Sequence, residues 1–159
     1  MSLVELVLAA SIGGSALAAF APTFLRDLQA SRTTEAVDGL AAIGASAVAH
    51  AAGRELAASF PAPAPLTPAE VPRGLAVQDP EGTWDTPTWQ ALHFGYDRPH
   101  RYAFRFDVVV DPVRLWFNAT AHGDLNGDGI LSTFQVSGER RAGEEAVLIP
   151  GLHVHREVE

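Results

Sequence analysis

The distribution of apolar and charged positions divides the chain into stretches of different period. From Leu6 to Leu25, twenty consecutive residues carry no charge (LVLAASIGGSALAAFAPTFL). A bilayer core of roughly 30 Å takes about 20 apolar residues as helix, so this run is just long enough to span one. From Arg26 to about Leu56, small and apolar residues recur at Val37, Leu40, Gly44, Val48 and Ala51. That spacing of three and four marks one face of a helix. Arg32, Glu35, Asp38, Arg54 and Glu55 fall in the same stretch. The pattern predicts one helix, apolar all round over residues 1–25 and amphipathic over 26–57. If continuous, it would form a rod of roughly 85 Å at about 1.5 Å per residue. Gly13, Gly14 and Pro22 are where it would bend or melt locally.

The helical period then stops. Residues 61–72 (PAPAPLTPAEVP) place five prolines in twelve positions, which predicts an extended linker, 58–83, that no helix or central strand can cross. Thr88 to Phe94 reads as a short helix or turn. After it the period becomes two. RYAFRFDVVV (101–110), VRLWFNATAH (113–122), LSTFQVSGER (131–140) and AVLIPGLHV (146–154) are predicted strands. Asp111-Pro112 and Asn126-Gly127 are the turn signals between them. The expected architecture is α+β: a long N-terminal helix whose amphipathic half covers a small antiparallel sheet formed by residues 84–159.

Composition removes whole classes of chemistry. The 159 residues suffice for one domain with a sizeable core. Cysteine is absent, so there is no disulfide, thiolate metal site or thiol nucleophile. All eleven basic residues are Arg, which excludes Schiff-base lysine chemistry and a phosphate-loop lysine. A net charge of −8 argues against nucleic acid as a partner. Of the five residues before the uncharged run only Glu5 is charged, where a cleaved secretory signal would carry basic residues. An acidic side chain beside a membrane-spanning run is costly unless it is paired or kept near the headgroup interface, so Glu5 is the sharpest functional candidate.

One loop has metal-ligand spacing. Asp124, Asn126, Asp128, the carbonyl of Ile130 and Ser132 match the first nine positions of a calcium loop, with Gly129 at the sharp turn. The twelfth position is Gln135 instead of the bidentate Glu. The competing reading is a hairpin loop whose Asp and Asn side chains cap their own backbone. His153 and His155 share one side of a strand but lack an evident third ligand. Asn118-Ala-Thr120 has the form of a glycosylation sequon inside a predicted strand. Trp84, Trp89, Trp116, Phe104, Phe106 and Phe117 read as core or inter-subunit packing. No nucleophile, base and orienting group assemble in the sequence, so no enzyme is expected.

The segment Met1–Val37, through Leu3-Val4-Glu5-Leu6, the uncharged run, Pro22 and Ser31-Arg32-Thr33-x-Glu35-Ala36, resembles the mature N-terminus of type IV pilins and pseudopilins. Pro87-Thr-Trp-Gln-Ala-Leu92 and Ala119-Thr-Ala-His-Gly-Asp-Leu-Asn-Gly-Asp-Gly129 resemble pilin-like proteins of deltaproteobacterial and myxobacterial type. The resemblance implies a structural subunit of an extracellular helical filament, stored in the inner membrane before assembly. It implies a prepilin peptidase and a pilus assembly machinery as partners, and methylation of the mature N-terminus. Met1 stands where the family usually has Phe, either as the processed residue or as the initiator. Glu5 would pair with the N-terminal amine of a neighbouring subunit. No cofactor is required; calcium is the one candidate, at the Asp-rich loop. Small residues at Ala9, Ala10, Gly13, Gly14, Ala16, Ala18 and Ala19 suit close helix packing in a filament core. The alternatives are a type II secretion pseudopilin, a low-abundance minor pilin, and a membrane-anchored periplasmic binding domain that never polymerises.

Overall fold

The computed structural model describes residues 33–156. Helix α1 covers residues 33–51, followed by a single 3₁₀ turn at Leu56–Ala58. Strand β1 (Ala64–Thr67) comes next, then a short helix α2 (Pro87–Ala91). Four strands follow: β2 (Tyr102–Asp111), β3 (Arg114–Gly123), β4 (Ser132–Arg141) and β5 (Val147–His155). The sheet is an antiparallel meander in the order β1-β2-β3-β4-β5.

The expected α+β fold with a long N-terminal helix is overturned here. The described chain is mostly β, and its one substantial helix ends at residue 51, not at 57. Two features stop it. Gly53 adopts φ +70, the left-handed conformation that terminates helices. Beyond it, Nη1 of Arg140 donates to the carbonyls of Ala51 (2.7 Å) and Arg54 (2.8 Å) and to Oγ of Ser59 (3.0 Å). A cation is favourable at this negative end of the helix dipole. The apolar part expected over 1–25 lies outside the described residues.

The central strands follow the period-two reading closely. Along β3, Leu115, Phe117, Ala119, Ala121 and Gly123 are buried while the alternate residues are half exposed. Its ten-residue registers with β2 and β4 are unbroken. Tyr102, Phe104 and Phe106 of β2 and Phe134 of β4 complete the inner face, together with Phe60 from the chain between α1 and β1. Phe106 stacks on Phe117 at 5.3 Å, and Phe60 meets Phe117 edge-on at 5.0 Å.

Helix α1 covers that face with a stripe that shares Leu40, Gly44 and Ala51 with the expected one and departs from it at Val37. The buried positions are Ala36, Gly39, Leu40, Ile43, Gly44, Ala47 and Ala51, whereas Val37 is 39% exposed. Small residues flank Leu40 and Ile43 in this stripe because the helix lies close on the sheet. A Cβ built on Gly39 would stand 2.7 Å from the Phe104 ring, and one on Gly44 would stand 3.0 Å from Cδ2 of Leu148. Glu35 fixes the other end of α1: its Oε1 accepts from the backbone N–H groups of Arg101 (2.7 Å) and Tyr102 (3.2 Å), where β2 begins.

The proline-rich segment expected as a linker instead supplies edge strand β1. Ala64 pairs with Phe106 and Thr67 with Phe104. Proline is tolerated there because an edge strand needs partners on only one side. Hydrogen bonds from Thr88 Oγ1 to the Ala62 carbonyl (2.8 Å) and from Trp89 Nε1 to Thr67 Oγ1 (2.9 Å) tie α2 onto this strand.

Candidate functional site

The assembly candidates Met1, Glu5, Gly13, Gly14 and Pro22 lie outside the described residues. Among the described residues no helix is long and apolar enough to cross a membrane. The run Leu6–Leu25, which carries that expectation, is not among them.

The Asp-rich loop joins β3 to β4, and its side chains are engaged with their own backbone. Asp124 is buried, with Oδ1 accepting from Gly127 N–H (2.7 Å) and Oδ2 from Gly129 N–H (3.0 Å). Asn126 Oδ1 accepts from Asp128 N–H (2.9 Å), and Asp128 Oδ1 from Ile130 N–H (2.7 Å). Asn126 Nδ2 closes the set by donating to Asp128 Oδ2 at 3.1 Å. Ser132, the ninth position of the calcium pattern, is wholly buried at the start of β4, where its hydroxyl donates to the Gly123 carbonyl (3.1 Å). Gly127 and Gly129 take φ values of +82 and +89, as the turn requires. The Asp124 carbonyl also accepts from Gly74 N–H (2.7 Å), which docks the chain after β1 onto this loop. Among the described residues no group of three or more His, Cys, Asp or Glu side chains could hold a metal ion.

A second polar centre escapes sequence reasoning. His100 is fully buried between two acceptors: the Tyr102 carbonyl on Nδ1 (2.8 Å) and Asp79 Oδ2 on Nε2 (2.7 Å). Trp84 Nε1 donates to the same carboxylate oxygen at 2.7 Å. Each ring nitrogen therefore faces an oxygen acceptor. The surroundings are aromatic, with Tyr96 stacked on His100 at 4.7 Å and Trp84 edge-on at 5.9 Å. A buried carboxylate–imidazole pair resembles half of a catalytic triad in outline. Here it holds residues 77–100 against the sheet, and its atoms are spent on that contact. Nothing in the sequence placed Asp79 beside His100, because the pair is joined by folding across twenty-one positions.

The sheet's two faces differ. Its inner face is covered by α1; its outer face carries Asn118, Gln135 and Ser137, linked by hydrogen bonds of 2.7 to 3.3 Å. His122 also faces outward, with Nδ1 3.0 Å from Thr133 Oγ1. Burial, then the nearby Arg105 charge, lowers its pKa below the usual imidazole range. Arg114 lies over the Trp116 ring at 4.5 Å. The edge strand β5 is exposed at every position, including Val147, Leu148, Ile149, Leu152 and Val154. From Ala146 to His155 it carries no acidic or Arg side chain. Edge strands are normally blunted by charge; this one is interrupted only at the irregularity opposite Gln135–Ser137, where Pro150 and Gly151 sit. Comparison of the chain with protein-family models, with curated proteins and with solved structures finds no match.

Proposed function

We propose that this chain is a structural subunit of an extracellular filament of the type IV pilin kind, held in the inner membrane through Leu6–Leu25 until it is assembled. The observation that carries the reading is the twenty-residue uncharged run immediately after Glu5. A run of that length, rich in Ala and Gly, must be covered by lipid or by other helices. The filament reading uses both covers in succession: lipid before assembly and neighbouring subunits afterwards. The apolar, uncharged edge at β5 supports it, because an exposed surface of that kind fits packing between copies. In this reading the sheet domain forms the wall of the fibre, and Glu5 pairs with a neighbour's N-terminal amine inside it. Leaving either charge unpaired in an apolar core would cost several kcal/mol.

The loop Asp124–Ser132 serves as a self-capped connection between β3 and β4 in this proposal, and calcium is not needed to form it. The filament reading is tested in the source cells by Glu5→Ala and Glu5→Gln. Both variants should remain in the membrane fraction while the yield of sheared fibres collapses. Normal fibres from both would refute the pairing role.

A further inference from the structure

Two imidazoles stand side by side on the most accessible strand of the sheet. His153 pairs with Gln135 and His155 with Thr133. Both partners occupy outward positions of β4, flanking the buried Phe134. The two histidines therefore project from the outer face, away from α1, about 6.7 Å apart along the strand. They lie in the regular part of the pairing, beyond the irregularity at Pro150–Gly151. Both are exposed, and among the described residues neither has a hydrogen-bond or ionic partner. Arg105 lies on the same face, but its charge is engaged with Asp107 at 2.7 Å. Among the described residues no charged group on this face is paired with the two rings.

We propose that His153 and His155 form a two-point chelate for a late first-row divalent ion: Cu²⁺, Ni²⁺ or Zn²⁺. Imidazole nitrogen is the donor these ions favour, whereas calcium and magnesium require sets of oxygen ligands. Cu²⁺ binds most tightly of the three in a given nitrogen site. Two protein donors leave the other coordination positions to water or to a donor on another molecule. Because β5 is the sheet edge, those positions face outward. A metal held here can bridge the chain to a neighbouring copy or to a donor-bearing surface. The site is independent of the Asp124 loop and of whether the chain polymerises.

His122 provides an internal control. It lies on the same face of the sheet, on β3, with Thr133 between it and His155. Its Nδ1 is already engaged with the Thr133 hydroxyl, so it is not one of the two donors.

The test is calorimetric titration of the full chain in detergent with Cu²⁺, Ni²⁺ or Zn²⁺ alone, in a non-coordinating buffer at neutral pH. The expected result is one ion per chain, with Cu²⁺ tightest. His153→Gln and His155→Gln should each weaken Cu²⁺ binding by about tenfold or more, the loss expected when one arm of a chelate is removed. His122→Gln should leave it unchanged. All three positions are at least partly exposed, and circular dichroism confirms that each variant is folded. Paramagnetic broadening by Cu²⁺, confined at low occupancy to the His153 and His155 ring protons, reads the site directly. Absence of saturable binding would overturn the proposal. So would binding that survives both β5 substitutions, or that is lost in His122→Gln.

Discussion

Replacing Gly39 by Ala tests how closely α1 lies on the sheet. In a free helix the change is favourable by about 1 kcal/mol, because glycine has more backbone entropy to lose. Here the new methyl group would sit 2.7 Å from Cε1 and Cζ of Phe104 and 3.1 Å from the Tyr96 hydroxyl. Phe104 has nowhere to retreat. Phe94 lies edge-on to it at 5.0 Å, Tyr96 is stacked at 5.7 Å, and Trp84 stands at 6.3 Å. Overpacking of this kind typically costs about 1–3 kcal/mol, so the clash outweighs the helix gain and the variant loses up to about 2 kcal/mol. For a chain of this size that lowers Tm by up to about 8 °C. Gly44→Ala is the matched control. Its methyl would press on the tip of Leu148 at 3.0 Å, on the exposed strand β5 where that side chain can turn aside, and would make ordinary contact with Val136 at 3.8 Å. Gly44→Ala should be neutral or stabilising by up to about 1 kcal/mol. Urea unfolding of the two variants beside the parent chain, followed by tryptophan fluorescence, measures both. A Gly39→Ala protein as stable as its parent, with a destabilised Gly44→Ala, would refute this account of the packing.

Arg140→Met removes the guanidinium that closes the C-terminus of α1. It should cost about 1–3 kcal/mol in denaturant unfolding, since the Ala51 carbonyl loses a charged donor. Glu35→Ala should cost a similar amount, about 1–3 kcal/mol, by orphaning two backbone N–H groups at the start of β2, while Glu35→Gln retains most of the stability. Asp124→Ala should lower Tm through the two N–H groups it leaves without an acceptor; the parent's Tm should be the same in millimolar calcium and in chelator, and a calcium-dependent rise would return the loop to the metal reading. The chain has two tyrosines, and burial is the main cause that raises both, Tyr102 to about 12 and Tyr96 further. The fold therefore holds their protons more tightly than the unfolded chain does, so this stability is complete below about pH 10 and is lost as pH rises towards 12. Phenolate absorbance should appear only together with unfolding, and its appearance near pH 10 in a still-folded chain would contradict the burial.

The strands were legible because half-buried β structure writes its period into the sequence. The readings 101–110, 113–122, 131–140 and 146–154 differ by one residue from the ends of β2 to β5. Phe117, Ala119 and Ala121 alternate with Asn118 and Thr120 because one face meets α1 and the other meets water. The helix stripe was legible at Leu40, Gly44 and Ala51, but Val37 is exposed, and Ala36, Gly39 and Ala47, which hydropathy ranks below valine, are buried beside Ile43. Closely packed small residues at 36, 39, 44 and 47, beside the apolar Leu40 and Ile43, were the signal. The end of α1 was placed too late because part of what closes it, Arg140, comes from a strand 89 positions away. The Pro-rich stretch has the composition of a linker, but an edge strand needs so few hydrogen bonds that prolines do not exclude it. In the Asp124 loop the spacing of oxygen-bearing residues was legible, but the same spacing also suits backbone N–H acceptors. The structure shows those acceptors in use.

We propose that this chain is a fibre subunit. Mass spectrometry of sheared extracellular filaments from the source cell, reading the N-terminal peptide, tests it most directly. The expected result is that this chain is an abundant component of the fibres, with a processed, N-methylated terminus ahead of Glu5. Fibres lacking the chain, with intact protein confined to the membrane fraction as a monomer, would contradict it.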